Sequence, residues 1–194
     1  MGKEIQLTEL MGDSLKSKFK YCGQNVKIYP LCKIINPEYV QIDDESKILD
    51  YTFIDGKYVN IGKYSIITWQ CLIEGRMTTT IGDRCFIGPG TKILSSTYKF
   101  QGFYTCEFLP DECHDTEWGD VTINNDAYIG ANSVIMPGVT IGEGALVGSN
   151  AFVNKDLEPW SIYVGSPVRK IGEREKPSDK MRAIVEAMNW EKHF

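Results

Sequence analysis

A six-residue spacing of branched aliphatic side chains runs through most of this 194-residue chain. Neither the 3.6-residue period of a helix nor the alternation of a long strand matches that spacing. A short strand followed by a corner, repeated many times, does match it, with each aliphatic side chain directed into a narrow interior. Stacked coils of this kind bury one another's apolar rows, so the spacing predicts an all-β parallel β-helix. The positions concerned are Ile28, Ile34, Ile42, Ile48, Ile54, Ile61, Ile67, Ile73, Ile81, Ile87, Ile93, Ile123, Ile129, Ile135, Ile141, Val147 and Val153.

Glycine often follows the aliphatic residue, as in Ile61-Gly62 and Ile129-Gly130. Because glycine has no Cβ, it can adopt backbone conformations that other residues avoid. We therefore expect these glycines to mark the corners and to hold the unusual conformations there.

The repeat resembles that of the hexapeptide-repeat transferase family over residues 28–172. The resemblance implies a left-handed parallel β-helix with three faces and three repeats per turn. It also implies a homotrimer with sites between the subunits.

The interruptions of the repeat predict the domain organisation, which is a single domain over residues 1–194. Residues 1–27 would form an N-terminal cap with a short helix over Glu4–Phe19. Residues 95–120 would leave the β-helix at residues 28–172 as a loop that covers a site or contacts a neighbour. Residues 173–194 have apolar side chains at helical spacing, and we expect a C-terminal helix that caps the last coil.

Composition and charge exclude several functions. A net charge of −5 gives no basic surface for nucleic acid. No apolar run is long enough to span a bilayer, and the first residues do not resemble a signal peptide, so we expect a cytoplasmic protein without membrane contact. The six cysteines form no CxxC pair and only two histidines are present. We expect reduced thiols and no metal.

Residues 128–133, 147–156 and 164–169 resemble the C-terminal part of the galactoside and maltose acetyltransferase branch. The resemblance implies acetyl-CoA or another acyl-CoA as acyl donor. Its pantetheine arm would bind backbone groups of Ala131 and Ser149. Small corner residues suit that role because they let a ligand approach the backbone.

The same resemblance implies where the coenzyme nucleotide lies. Asn154 and Lys155 would approach it, with Pro167 and Arg169 close by, since phosphates bind cationic donors. Taken one at a time, these side chains could equally be solvated surface groups and ordinary corner residues.

The expected catalytic residues of sugar O-acetyltransferases are missing from this sequence. Tyr98 occupies the position of their histidine, Thr68 that of their asparagine and Arg76 that of their aspartate. Acylation of a hydroxyl needs a general base, whereas a neutral amine can attack a thioester without one. The loop around Tyr98 is similar to that of enzymes that N-acylate nucleotide-linked amino sugars.

His114 is the only internal histidine, and it lies among acidic loop residues. It is a candidate general base, although the sequence favours an exposed loop residue; His193, next to the C-terminus, is not a candidate. The acidic cluster is expected to be solvated. The aromatic side chains of this loop predict packing against a subunit or stacking on a nucleotide. They are Tyr98, Phe100, Phe103, Tyr104 and Phe108.

The sequence as a whole favours a coenzyme A-dependent sugar acyltransferase whose acceptor is an amino sugar on a nucleotide carrier. A sugar O-acetyltransferase is the alternative within the same class. A carbonic-anhydrase-like scaffold would need three histidines, which this chain lacks. A non-catalytic binding protein remains the alternative outside enzymes.

Overall fold

The structure, a computed structural model, describes residues 13–106 and 108–188. Short strands alternate with corners over almost all of this length. In chain order the elements are α1 (Asp13–Lys16), β1 (Tyr21–Cys22), β2 (Lys27–Ile28), β3 (Lys33–Ile34), a 3-10 turn (Pro37–Tyr39), β4 (Val40–Ile42), β5 (Lys47–Ile48), β6 (Phe53–Ile61), β7 (Ile66–Ile67), β8 (Leu72–Ile81), β9 (Phe86–Ile87), β10 (Lys92–Leu94), β11 (Ser96–Tyr98), a 3-10 turn (Asp111–Cys113), β12 (Thr116–Trp118), β13 (Val121–Ile123), β14 (Tyr128–Ile129), β15 (Val134–Ile135), β16 (Thr140–Ile141), β17 (Leu146–Val147), β18 (Phe152–Val153), β19 (Ser161–Val164), β20 (Arg169–Glu173) and α2 (Asp179–Ala187).

Parallel pairing stacks these strands into about seven coils with three faces, which confirms the predicted parallel β-helix. The first face aligns Cys22, Ile42, Ile61, Ile81, Ile123 and Ile141. The second face aligns Ile28, Ile48, Ile67, Ile87, Ile129 and Val147. The third face aligns Ile34, Ile54, Ile73, Ile93, Ile135 and Val153.

The predicted aliphatic positions form the core. Nearly all of them are fully buried, with Ile34 in the first coil as the partly buried exception. Burial of one such side chain contributes about 1.5–3 kcal/mol, so the stacked rows dominate the stability of the fold. Small buried residues such as Cys71 and Cys85 precede the isoleucines, and burial raises the pKa of both thiols.

The explanation predicted for the glycines is wrong. Gly62 and Gly130 do not have left-handed φ; a Cβ at Gly130 would instead lie 2.4 Å from the Ser149 nitrogen of the next coil. These glycines are required because adjacent corners approach closely. The left-handed conformation lies three residues before the aliphatic residue, for example at Arg84 (φ 55°) and Asn132 (φ 57°).

The two ends of the β-helix differ from the prediction. The first coil begins at Tyr21, within the segment assigned to the N-terminal cap, and residues 1–12 lie outside the described residues. The helix α2 exists, but none of its residues is buried, so it does not cap the last coil. The strand β20 covers the end of the second face by pairing antiparallel with β19.

Candidate active site

The loop predicted at residues 95–120 is a β-hairpin built on β11 and β12, whose strands pair antiparallel. Buried Ser95 fixes its base: the Ser95 N–H donates to the Glu74 carbonyl (2.9 Å) and the Ser95 carbonyl accepts from the Gly119 N–H (3.1 Å). Gly75, at φ 126°, allows this contact, since a Cβ there would lie 2.2 Å from Ser95 Oγ. The hairpin is therefore anchored to the coil that precedes it.

A cavity of about 730 Å³ lies between the hairpin and the corner that joins the third face to the first. Its lining is rich in charged and polar side chains. The lining residues are Glu74, Arg76, Leu94, Ser96, Thr97, Tyr98, Asp111, His114, Asp115, Thr116 and Trp118. Both sequence candidates for catalysis, Tyr98 and His114, are among them.

The structure brings Tyr98 and His114 into contact. Their ring centroids are 5.6 Å apart and the rings are nearly perpendicular, at 78°. The His114 side chain is 13% exposed, so the expectation of an exposed loop residue is wrong. Its Nε2 lies 3.9 Å from Asp111 Oδ1, beyond hydrogen-bond distance. The imidazole is thus held by the tyrosine ring and has a carboxylate nearby.

Arg76 and Thr68 have separate roles. Arg76 lines the cavity, and among the residues the structure describes its guanidinium forms no ion pair or hydrogen bond. Thr68 is 2% exposed, and its hydroxyl donates to the Ile87 carbonyl at 2.7 Å. Thr68 is a structural residue of the coil, whereas Arg76 places a cation in the cavity.

Sequence reasoning missed Glu74 and Trp118 as cavity residues. Glu74 follows an aliphatic core position, and its proximity to the hairpin depends on the anchor at Ser95. The antiparallel pairing of Trp118 with Ser96 gave no periodic signal in the sequence.

The candidate coenzyme residues lie on two corners of the β-helix. Ala131 and Ser149 occupy matching positions on the corner between the second and third faces, because the Asn150 N–H donates to the Ala131 carbonyl (2.8 Å). Pro167 lies in the turn between β19 and β20, where the chain leaves the same corner of the last coil, and Arg169 is the first residue of β20. Asn154 and Lys155 follow β18 and so lie on the next corner.

The backbone N–H groups of Ala131 and Ser149 take part in no hydrogen bond within the part of the chain that the structure describes. Each precedes a left-handed asparagine, Asn132 or Asn150, at the exposed side of the corner. Two unpaired donors on consecutive coils suit a ligand that carries acceptors along its length.

The cations of the C-terminal coils also differ in availability. Lys170 is bound by Glu158 (2.6 Å) and Glu173 (2.5 Å), and these carboxylates hold its pKa above the ordinary range. Lys155 and Arg169 are exposed and form no ion pair with any described residue.

Within residues 13–106 and 108–188, no group of His, Cys, Asp or Glu side chains is arranged to hold a metal ion. None of the described helices has the length and apolar character needed to cross a bilayer.

Residues 120–155 match the family model described as bacterial transferase hexapeptide (six repeats). Two curated relatives extend the similarity. The dTDP-4-amino-4,6-dideoxy-D-glucose acyltransferase of Escherichia coli is 32% identical over 184 residues, 93% of this chain and 92% of the relative. A chloramphenicol acetyltransferase of Agrobacterium fabrum is 34% identical over 154 residues, 72% of each chain.

A solved structure shows the same architecture. It is a variant of AntD, an N-acyltransferase from Bacillus cereus, in complex with dTDP-4-amino-4,6-dideoxyglucose and coenzyme A. The TM-score is 0.85 at 31% identity, over 90% of this chain and 95% of that chain.

Proposed function

This chain belongs to the hexapeptide-repeat acyltransferases, and on that premise we propose that it acylates the amino group of a sugar carried on a nucleoside diphosphate. The observation that carries the proposal is similarity over nine-tenths of the chain to an enzyme solved with both an amino-sugar nucleotide and coenzyme A. The absence of the expected histidine at Tyr98 supports an amine over a hydroxyl acceptor.

The reaction follows from the chemistry of a thioester. The amine nitrogen attacks the carbonyl carbon, a C–N bond forms, and the C–S bond then breaks. The sulfur leaves as a thiolate, and the proton lost by the nitrogen ends on that thiolate, giving an amide and free coenzyme A. An amine needs no base to attack, but a sugar ammonium must first lose a proton.

We assign the acceptor to the cavity under the hairpin. His114 is the proposed group that accepts the ammonium proton, and the Tyr98 ring orients its imidazole. Arg76 supplies a cation for the diphosphate, since guanidinium groups bind phosphate oxygens in a bidentate manner.

We assign the acyl donor to the corner between the second and third faces. The Ala131 and Ser149 N–H groups bind the pantetheine arm, and Arg169, with Pro167 beside it, lies toward the nucleotide. Asn154 and Lys155 lie on a different corner, so they would reach the same nucleotide from an adjacent copy of the chain.

A homotrimer explains this division. Trp69, at the donor corner, and Glu74, in the cavity, lie toward opposite ends of the third face of one coil, with the left-handed Gln70 and the core residue Ile73 between them. The two sites of one copy are therefore at different corners. In a trimer, the corner that carries the hairpin in one copy could pack against the donor corner of the next copy. The acceptor cavity of one copy and the acyl-donor site of its neighbour would then form one complete active site. Because coenzyme A is the donor, we also propose that the protein acts in the cytoplasm.

Release of free thiol measured with acetyl-CoA tests the reaction. We expect turnover with a dTDP-amino sugar, and a rate at least a hundredfold lower with the matching dTDP-sugar that carries a hydroxyl in place of the amine. Faster reaction with the hydroxyl sugar or with chloramphenicol would instead indicate an O-acetyltransferase. If no acceptor reacts and coenzyme A does not bind, the non-catalytic alternative holds.

The variant His114→Asn tests the proton acceptor. We expect kcat to fall about a hundredfold, because the side chain proposed to accept the ammonium proton has been removed. Tyr98→Phe keeps the ring contact and is the matched control for loss of the hydroxyl alone. An unchanged kcat for His114→Asn would assign proton transfer elsewhere.

Mixed oligomers test the division between copies. Ser149→Trp blocks the donor corner, and His114→Asn disables the hairpin corner. Refolding the two inactive variants together should restore roughly a quarter of the activity if each site takes one corner from each copy. If mixing the two variants restores no activity above background, the donor and acceptor sites of one active site belong to the same chain.

A further inference from the structure

One register position recurs on the corner that carries the proposed coenzyme site. It lies two residues after the aliphatic residue of the second face, and the carbonyl at that position accepts from the N–H of the following coil. Gly90 donates to Trp69 (2.9 Å), Asn132 donates to Pro89 (2.8 Å) and Asn150 donates to Ala131 (2.8 Å). From the N-terminal side the position is occupied by Asp50, Trp69, Pro89, Ala131 and Ser149, which we call the donor column.

The side chains of the donor column change abruptly in size. Pro89, Ala131 and Ser149 have small side chains, and the glycines before them, such as Gly88 and Gly130, let the backbones of adjacent coils approach closely. At Trp69 the column meets a bulky indole that is 51% exposed, with half of its surface covered by neighbouring groups. The open surface therefore ends at Trp69.

The covalent length of the pantetheine arm indicates where the acyl group lies relative to Trp69. Adjacent coils are about 4.8 Å apart, close to the separation of the two amides of a pantetheine arm, so one amide fits Ser149 and the other fits Ala131. Three single bonds extend roughly 3.6 Å beyond the second amide to the sulfur, which brings the sulfur near the level of Pro89. The acyl group then lies between Pro89 and Trp69, a gap of about one coil.

We propose that Trp69 determines the length of the acyl chain by closing the donor column one coil beyond the thioester. A two-carbon acyl group fits in front of the indole, whereas each further methylene must displace it. This inference rests on the proposed binding of coenzyme A along Ala131 and Ser149. It adds a residue that selects the donor and does not take part in proton transfer.

The test compares Trp69→Ala and Trp69→Leu with the wild-type chain. The dissociation constants of acetyl-CoA, butanoyl-CoA and hexanoyl-CoA are measured by calorimetry, together with kcat/KM for each donor. The wild type should prefer the acetyl donor over the hexanoyl donor by at least tenfold, because a closed pocket discriminates about tenfold or more per methylene. Trp69→Ala should remove most of that preference, and Trp69→Leu should fall between the two.

Tyr51→Ala is the matched control, since Tyr51 is 62% exposed on the same corner one coil further from the coenzyme. We expect it to keep the wild-type preference. If folded Trp69→Ala binds coenzyme A but retains that preference, or if the wild type binds all three donors equally, Trp69 does not set the length. If the wild type binds no form of coenzyme A, the proposed donor site itself is wrong and this inference is overturned with it.

Discussion

The coils and the hairpin differ in how their apolar side chains are packed, as Ile87 in a coil and Phe108 in the hairpin show. Ile87 is fully buried, and parallel pairing aligns it with Ile67 and Ile129. Phe108 is 96% exposed, and its hairpin is joined to the coils through the anchor at Ser95. The buried aliphatic rows and the donor column thus belong to the periodic part, whereas the insertion lines the cavity proposed for the acceptor. Substrate choice can change in the hairpin with little effect on the core.

The largest expected difference between the two regions is in thiol reactivity. Burial raises the pKa of Cys85 to about 11, whereas Cys106 is exposed in the hairpin. Because the thiolate is the reactive form, Cys106 should react with iodoacetamide at pH 8 at least a thousandfold faster than Cys85. Peptide mapping of the labelled protein measures both rates. Comparable rates would mean that the coils open as readily as the hairpin.

The next difference is in the free energy of unfolding. Ile87→Ala should lower it by about 3 kcal/mol, because the stacked coils above and below cannot close the cavity. Phe108→Ala should change it by less than about 0.5 kcal/mol. Denaturant unfolding of both variants gives these values. A large loss in Phe108→Ala would show that the hairpin is packed in the assembled protein.

A smaller effect is expected for one backbone donor of the donor column. Ser149→Pro removes the backbone N–H together with the side-chain hydroxyl, and the fold already accepts proline in this setting. Pro159 lies over Gly142 as Ser149 lies over Gly130 and, like Ser149, precedes a left-handed residue. Loss of one hydrogen bond of about 1 kcal/mol should weaken coenzyme A binding about fivefold.

Ser149→Ala keeps the N–H and is the matched control for that measurement, with wild-type affinity expected. His114→Asn, in the hairpin, should also leave the dissociation constant of coenzyme A unchanged. Weaker binding in His114→Asn than in Ser149→Pro would reverse the assignment of donor and acceptor to the two regions.

The smallest effect concerns ion pairs. In the coils Asp126 binds Arg84 through two contacts of 2.7 and 2.9 Å and raises the pKa of Arg84, and both side chains are about one-third exposed. In the hairpin Lys99 and Asp115 are more exposed. Asp126→Asn should lower the free energy of unfolding by somewhat under 1 kcal/mol and Asp115→Asn by less than half of that. If Asp126→Asn and Asp115→Asn lower the free energy of unfolding equally, the ion pair in the coils is no stronger than the one in the hairpin.

The coils were predictable because their period carries the information. Ile81, Ile87 and Ile93 each repeat a local rule, and the register of one coil determines that of the next. The sequence predicts the left-handed conformation at Gly130, whereas the structure has it at Asn132. A glycine in the repeat indicates a corner, but the sequence does not say whether it is needed for a left-handed turn or for a close approach between coils.

The candidate site was predictable only in part. Tyr98 and His114 were identified as isolated candidates, but their contact depends on an antiparallel pairing that no repeat encodes. The role of Trp69 depends on comparing the same position across coils, which requires their alignment in space. The apolar spacing of α2 correctly predicted a helix, yet spacing alone does not specify what a helix packs against.

The antiparallel strand β20 has a consequence for assembly. A stack of parallel coils could recruit further strands at an open end and grow into a fibre. Because β20 turns back along β19, the next chain meets a strand of reversed direction. That strand carries Arg169 and Lys170, and charged edge residues disfavour the pairing of another chain. The segment β20 thus disfavours the addition of further chains to the end of the second face, and so disfavours growth into a fibre.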